Sequence, residues 1–373
     1  MQETTNLAAT VAWWGFGLAF ILGAVVNRTN FCTMGAVSDV VNMGDWNRMR
    51  MWLLAIAVAI VGANTLQLMG LVDLSKSIFQ LPNFNWLNYI VGGALFGVGM
   101  TLGSGCGNKT LVRIGGGNLK SVMVFVFLGI SAYMTIKGLF GAWRVAYLEP
   151  ASINLATHGM AGQDLPSMLT GITGMDKTTL QIALTALFAG AFGLFALLKR
   201  DFWTLDNILG GVTVGLVVVA GWYVSGHIGY VAEDPETLAE AFVATNTGRA
   251  ESFSFIAPMA YTMELLMLWT DQSLHVSWGI ATGLGVIAGS LAYALATRTF
   301  RWEGFSSASD TANHMIGGIL MGFGGVAAFG CTIGQGVTGF STLALGSMIT
   351  FLSIIAGSAA TMKYQYWKMM REA

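Results

Sequence analysis

Residues Tyr89–Cys106 read YIVGGALFGVGMTLGSGC, and residues His314–Cys331 read HMIGGILMGFGGVAAFGC. The two stretches are 225 positions apart, and seven of the fifteen positions from Gly92 to Cys106 carry the same residue in both. Each copy is an apolar segment that is interrupted by a Gly-Cys pair and then resumes. Duplicated, interrupted hydrophobic segments in the two halves of a chain are typical of transporter binding sites. The repeat therefore predicts a membrane protein with a site between two related halves.

The composition is that of a membrane protein. Of the 373 residues, 54% are hydrophobic and 10% are charged, whereas soluble domains carry about 25% charged residues. Nine apolar stretches come near the roughly 20 residues that a helix needs to cross a bilayer. They are 10–26, 51–72, 86–103, 119–140, 179–198, 207–225, 275–297, 314–329 and 343–362. We therefore predict an all-α membrane protein with about nine transmembrane helices.

Positive charge is distributed unevenly over the predicted loops. With the N-terminus outside, 13 of the 18 lysines and arginines face the inside, which agrees with the positive-inside rule. The sequence therefore predicts an outer N-terminus and a cytoplasmic C-terminus. In this orientation the two Gly-Cys interruptions start from opposite faces of the membrane. We therefore predict that the two halves are inverted repeats of four spans each, with short re-entrant helical hairpins meeting near the bilayer centre.

The predicted repeats divide the chain into three parts. These are a first half at 1–178, a connecting fifth span at 179–206 and a second half at 207–373. The second half contains an acidic insertion at about 226–274, which is predicted to lie outside. An apolar piece near its end is too short for a span, so we predict a re-entrant or interfacial segment. Aligning Phe31 with Phe253 places Cys32 opposite Ser254 in the two halves.

The chain has three cysteines, and each follows an apolar span at the start of a small and polar run. Cys32 lies in NFCTMG, Cys106 in GSGCGNKT and Cys331 in FGCTIGQG. Non-helical backbone at membrane depth is tolerated only where protein buries it or where it lines a wet cavity. A helix that restarts after such a break favours an anion at its N-terminus. We therefore predict a solute path lined by the three thiols, with supporting contacts from Gly105, Gly107, Asn108, Gly330, Thr332 and Gln335.

Other interpretations of the cysteines stay open at this point. A free cysteine also packs as a small hydrophobic residue, and three thiolates suit Cu(I). In a membrane-embedded thiol oxidoreductase or sulfurtransferase, by contrast, an accessible cysteine of lowered pKa would turn over covalently. An odd number of cysteines disfavours a purely structural disulfide framework. The sequence contains no nucleotide-binding loop, metal-ligand spacing or basic nucleic-acid tract, so neither a cofactor nor a nucleic-acid partner is predicted.

At its three cysteine motifs the sequence resembles the YeeE/YedE family of sulfur-transport membrane proteins. The first of these motifs extends to NRTNFCTMGAVSDVV around Cys32. The resemblance implies uptake of thiosulfate across the cell inner membrane, with Cys32, Cys106 and Cys331 as the path residues. It also implies a small TusA-like sulfur carrier as a partner on the cytoplasmic side. Other family members are associated with selenium metabolism, so a selenium species is an alternative cargo.

Overall fold

The computed structural model describes residues 2–234 and 238–372, and these residues are predominantly helical. The α-helices are α1 (Gln2–Thr29), α2 (Thr33–Ser38), α3 (Asn47–Leu68), α4 (Trp86–Leu102), α5 (Gly107–Gly115), α6 (Leu119–Lys137), α7 (Leu139–Trp143), α8 (Leu165–Thr173), α9 (Lys177–Leu197), α10 (Leu205–Tyr223), α11 (Ile256–Met267), α12 (Trp278–Ala296), α13 (Ala308–Ala327) and α14 (Leu345–Glu372). The strands are β1 (Asn83–Phe84), β2 (Ile153–Asn154), β3 (Tyr230–Val231) and β4 (Ala241–Phe242). The predicted all-α membrane fold is confirmed.

Eight helical stretches in the described part of the chain are long and apolar enough to cross a membrane. They are Asn6–Met43, Asn47–Leu68, Trp86–Gly115, Leu119–Lys137, Lys177–Leu197, Leu205–Ile228, Trp278–Ala296 and Leu345–Arg371. Each overlaps one of the nine predicted spans. The remaining predicted span, 314–329, largely coincides with α13, which is not among the eight. Helix α13 begins with the polar run ASDTANH, and this run reduces its apolar character.

Polar side chains at the helix N-termini explain where several of the long helices begin. The side chain of Asn118 accepts a hydrogen bond from the Ser121 backbone N–H at the start of α6. Asp176 caps α9 in the same way, and Ser277 caps α12. Such residues satisfy backbone donors that have no partner within the helix. Each of these helices therefore begins at a polar residue rather than within its apolar stretch.

Glycines bring α4 and α13 into direct backbone contact. A Cβ atom placed on Gly92 would lie 2.8 Å from the carbonyl oxygen of Gly324. A Cβ atom on Gly317 would lie 2.7 Å from the carbonyl oxygen of Gly99. Close approach through small residues is a common way of packing membrane helices. The glycines that the two sequence copies share therefore form the crossing between α4 and α13.

The helix pairs recur between the two halves of the chain. Helix α4 packs on α14 and α13 packs on α6, while α1 packs on α12 and α10 packs on α3. Equivalent glycines of the two sequence copies make the first two of these contacts. Gly97 of α4 lies against Ile354 of α14, and Gly322 of α13 lies against Leu128 of α6. A twofold exchange of the halves would produce such a pattern. The inverted repeat over 1–178 and 207–373 stays a prediction, which this packing supports.

The predicted outer loops lie together at one end of the helices. Strand β1 pairs with β2, and the strands β3 and β4 form a hairpin within the insertion. Residues 235–237 of the insertion lie outside the described part of the chain. The apolar piece of the insertion forms α11, whose 12 residues are too few to span a bilayer. Helix α11 packs against α6 and α12, and it therefore joins the helical core instead of forming an extra span.

An ion pair ties the insertion to the loop that follows α3. The Lys76 Nζ atom donates to Glu240 Oε2 over 2.5 Å and lies 4.8 Å from the centre of the Tyr230 ring. The hydrogen bond from Lys76 lowers the pKa of Glu240 below its ordinary value of 4.5. Because folding lowers this pKa, the pair contributes its full stability above pH 4.5. That contribution is lost as the pH falls through the lowered value.

We expect the β3–β4 hairpin to become more mobile on acidification below pH 4.5. Hydrogen–deuterium exchange of the hairpin amides, corrected for the intrinsic effect of pH, measures this change. The effect should be modest because the pair is exposed to solvent. The Glu240→Gln variant lacks the titrating group, so its hairpin should show a weaker dependence on acid. An identical pH dependence in both proteins would contradict the assignment of this ion pair.

Candidate functional site

Each cysteine directly precedes a short helix. Cys32 precedes α2, Cys106 precedes α5, and Cys331 precedes a helix at 332–341 that contains a π-helical segment. The Cys32 sulfur accepts a hydrogen bond from the Gly35 N–H at 3.5 Å, and the Cys331 sulfur accepts one from the Gly334 N–H at 3.3 Å. The two sulfurs thus occupy the position in which serine or aspartate usually caps a helix.

The same backbone turn precedes every cysteine. Asn30, Ser104 and Phe329 each stand two residues before a cysteine, and their φ angles are 50°, 58° and 58°. A residue in this left-handed region ends a helix, and glycine is the usual choice there. After the second and third turns, the N–H groups of Gly105 and Gly330 bond to carbonyl groups five residues earlier. The predicted supporting residues Gly105 and Gly330 therefore close the end of one helix just before the next helix begins.

The three thiols lie near one another. Cys106 has both Cys32 and Cys331 as electrostatic neighbours, and Thr332 lies beside its sulfur. All three cysteines are free, and their exposed fractions are 6%, 2% and 0% for Cys32, Cys106 and Cys331. Cys106 is therefore near both of the other predicted cysteines, and we call the three thiols the thiol cluster. Because the cluster is buried, it is closed to solvent in this conformation.

Buried polar atoms without a hydrogen-bond partner surround the thiol cluster. They include the side-chain oxygens of Thr33, Asn108, Thr332 and Gln335, and each of these residues is at most 1% exposed. An unpaired buried polar group costs about 1–3 kcal/mol, so native proteins rarely keep one without a reason. Asn108, Thr332 and Gln335 are among the predicted supporting residues. The site therefore presents several polar atoms that a polar ligand could satisfy.

Two positive side chains of α5 donate hydrogen bonds to residues at the chain breaks. Lys109 Nζ donates to Asn30 Oδ1 at 3.2 Å, and Arg113 Nη1 donates to the Ser104 carbonyl at 2.6 Å. Both cations thus contact residues that adopt the left-handed turns. Lys109 also has Cys32 and Cys106 as electrostatic neighbours. The thiol cluster consequently has positive charge beside it, which favours an anionic ligand.

Ser254 is a site residue that the sequence analysis does not select. Its side chain lies beside the Cys331 sulfur, as Cys32 lies beside Cys106. The alignment of Phe31 with Phe253 indicates this correspondence, because it places Ser254 opposite Cys32. Ser254 therefore stands where an exact repeat would have a fourth cysteine.

A cavity of about 270 Å³ opens among the predicted outer loops and reaches this region. Its walls include apolar side chains and the polar residues Arg144, Thr247, Glu251, Ser252 and Ser254, together with Gly330. The cavity thus extends to the residue before Cys331, although the cysteine itself is buried.

Comparison with known proteins identifies the family. The profile of the family described as Sulphur transport matches residues 28–360, a range that includes all three cysteine motifs. The thiosulfate transporter TsuA of Escherichia coli (strain K12) is 27% identical over 363 residues, covering 95% of this chain and 94% of the relative. The thiosulfate transporter TsuA of Spirochaeta thermophila is 24% identical over 352 residues, covering 93% and 96%. Since the family match extends over most of the sequence, the chain belongs to the Sulphur transport family, in agreement with its resemblance to YeeE/YedE proteins.

Proposed function

We propose that this protein imports thiosulfate across the cell inner membrane along a path that passes Cys32, Cys106 and Cys331. The observation that carries the proposal is the cluster of three thiols at helix starts, surrounded by unpaired buried polar atoms. The names of the two relatives support thiosulfate as the cargo. Both relatives are named transporters, which favours transport over enzymatic turnover.

The chemistry of the cluster suits a large sulfur-containing anion. A neutral thiol is a weak hydrogen-bond donor, so it holds an anion without trapping it. The first N–H groups of α5 and of the helix at 332–341 have no partner within their helices, and they carry partial positive charge. The Asn108 amide nitrogen and the Thr332 hydroxyl add side-chain donors, whereas the Gln335 amide nitrogen already donates to the Ala328 carbonyl. Together these groups replace part of the hydration shell that the anion loses.

The remaining parts of the proposal concern orientation and partner. The N-terminus lies outside and the C-terminus lies in the cytoplasm, as the charge distribution indicates. A small TusA-like carrier receives the cargo at the cytoplasmic end, a step that rests on the family resemblance. A Cu(I) cargo is the alternative that three thiolates suit, and metal analysis of the purified protein tests it.

Growth of a bacterial host that lacks thiosulfate uptake tests the proposed cargo. We expect the gene for this chain to restore growth on thiosulfate as the sole sulfur source, together with accumulation of ³⁵S from labelled thiosulfate. Sulfite, tetrathionate and selenite serve as competing solutes in the same assay. A well-expressed protein that accumulates no label from thiosulfate would refute the proposal, and a preference for selenite would reassign the cargo.

A further inference from the structure

The outer cavity reaches the residue before Cys331, the least exposed of the three cysteines. Ser254 and Gly330 both line the cavity, and Cys331 directly follows Gly330. Ser254 is partly exposed, whereas Cys331 has an exposed fraction of 0%. A Cβ atom on Gly334 would lie 2.5 Å from the Ser254 hydroxyl oxygen. Ser254 therefore lies between the cavity and the start of the helix that Cys331 caps.

The Ser254 hydroxyl differs from the Ser252 and Thr247 hydroxyls in the cavity wall. Ser252 Oγ donates to the Val218 carbonyl at 2.8 Å, and Thr247 Oγ1 donates to Glu251 Oε1 at 2.5 Å. The Ser254 hydroxyl, by contrast, has the Cys331 sulfur as its hydrogen-bonding neighbour. A thiol sulfur is only a weak hydrogen-bond acceptor, so an anion in the cavity can replace it as the partner of the Ser254 hydroxyl.

The charges in the wall are compatible with an anion. Arg144 supplies a guanidinium whose Nε lies 3.4 Å from Glu149 Oε1, and no hydrogen bond satisfies this buried Nε. Glu251 is the acidic residue of the wall, and its carboxylate accepts hydrogen bonds from the Thr247 N–H and hydroxyl. The charged groups of the wall are therefore the Arg144 guanidinium and a carboxylate whose Oε1 atom is already hydrogen-bonded.

We propose that this cavity is an outer loading site for the sulfur oxyanion, in which the Ser254 hydroxyl binds the anion before it reaches Cys331. The inference rests on the proposed thiosulfate uptake. It adds Ser254, which stands where an exact repeat would have a cysteine, to the residues that contact the anion. An O–H group is a stronger hydrogen-bond donor than an S–H group. A hydroxyl at this position can therefore capture the anion from water, and the weaker thiols then pass it on. Arg144 compensates part of the anion's charge during loading.

The concentration dependence of thiosulfate uptake tests the loading site. We expect Ser254→Ala to raise the half-saturating concentration about tenfold, the usual effect of losing one hydrogen bond to a charged group. Its maximal rate should change less than about twofold, because the thiols remain in place. Ser254→Cys keeps a donor and should fall between the two proteins. Ser273→Ala is the matched control, since Ser273 is exposed in the same insertion and lies outside the cavity wall, and it should leave the half-saturating concentration unchanged.

Several outcomes would overturn the loading site. An unchanged half-saturating concentration in Ser254→Ala excludes it while leaving thiosulfate uptake itself intact. A lower maximal rate at an unchanged half-saturating concentration would make Ser254 a structural residue. If the wild-type chain takes up no thiosulfate, the proposed function fails first and the loading site fails with it. Should Ser254→Ala not fold, Ser254→Cys gives the same readout at smaller amplitude, and wild-type behaviour there counts against the site.

Discussion

Cys106→Ala is expected to reduce thiosulfate uptake between about tenfold and a hundredfold without reducing the amount of folded protein. Cys106 has both other thiols as electrostatic neighbours, so the substitution removes the central donor of the cluster. Hydrogen bonds to charged groups contribute about 1.5–3 kcal/mol, which corresponds to this range of rates. Initial rates of ³⁵S uptake, normalised to the folded protein in the membrane, measure the effect. Cys331→Ala should behave similarly. Unchanged uptake in both variants would exclude a path through the thiols.

Serine substitutions distinguish a hydrogen-bonding path from covalent turnover. Cys106→Ser keeps a donor of similar size, so a hydrogen-bonding path retains measurable uptake, whereas a persulfide or mixed disulfide cannot form on serine. Intact-mass spectrometry during transport provides an independent check. An unmodified chain that still transports thiosulfate agrees with the proposed path. A persulfide that forms and decays at the rate of transport would instead establish covalent turnover at the cysteines.

Gly289→Ala is expected to destabilise the protein by about 1–3 kcal/mol or more, the range for overpacking a tight contact. Gly289 lies on α12, and a Cβ atom there would overlap the backbone of Phe20 on α1. Since backbone atoms cannot rotate away, α1 and α12 would have to separate. Thermal unfolding in detergent, or the amount of protein that reaches the membrane, measures the loss.

Gly283 on the same helix provides the matched control. A Cβ atom on Gly283 would have no neighbouring heavy atom within 4 Å. Gly283→Ala should therefore be neutral or slightly stabilising, because alanine favours a helix more than glycine does. Equal destabilisation by the two substitutions would show that the contact with Phe20 does not determine the loss.

The sequence predicts the membrane helices well for two reasons. The thickness of the bilayer sets the length of a spanning helix, and the absence of water in its core requires mostly apolar side chains. Eight of the nine predicted spans coincide with helices that meet both conditions. The span at 314–329 is the exception, because α13 combines a polar beginning with a glycine-rich face that packs on α4. Here tertiary contacts with other helices compensate for low apolar character.

The candidate site is only partly predictable from the sequence. The three cysteine motifs identify the chain breaks, because the small and polar residues in each motif interrupt a continuous apolar helix. The contact between Ser254 and Cys331 joins residues far apart in the chain, and it depends on how the halves pack. The left-handed turns at Asn30, Ser104 and Phe329 likewise escape prediction, since none of the three is a glycine.

The backbone contact between α4 and α13 restricts how the protein can open. No side chain stands between Gly92 and Gly324 or between Gly99 and Gly317, so a change of rotamer cannot widen this crossing. Any change in the distance between α4 and α13 at this crossing therefore requires movement of the helix backbones themselves.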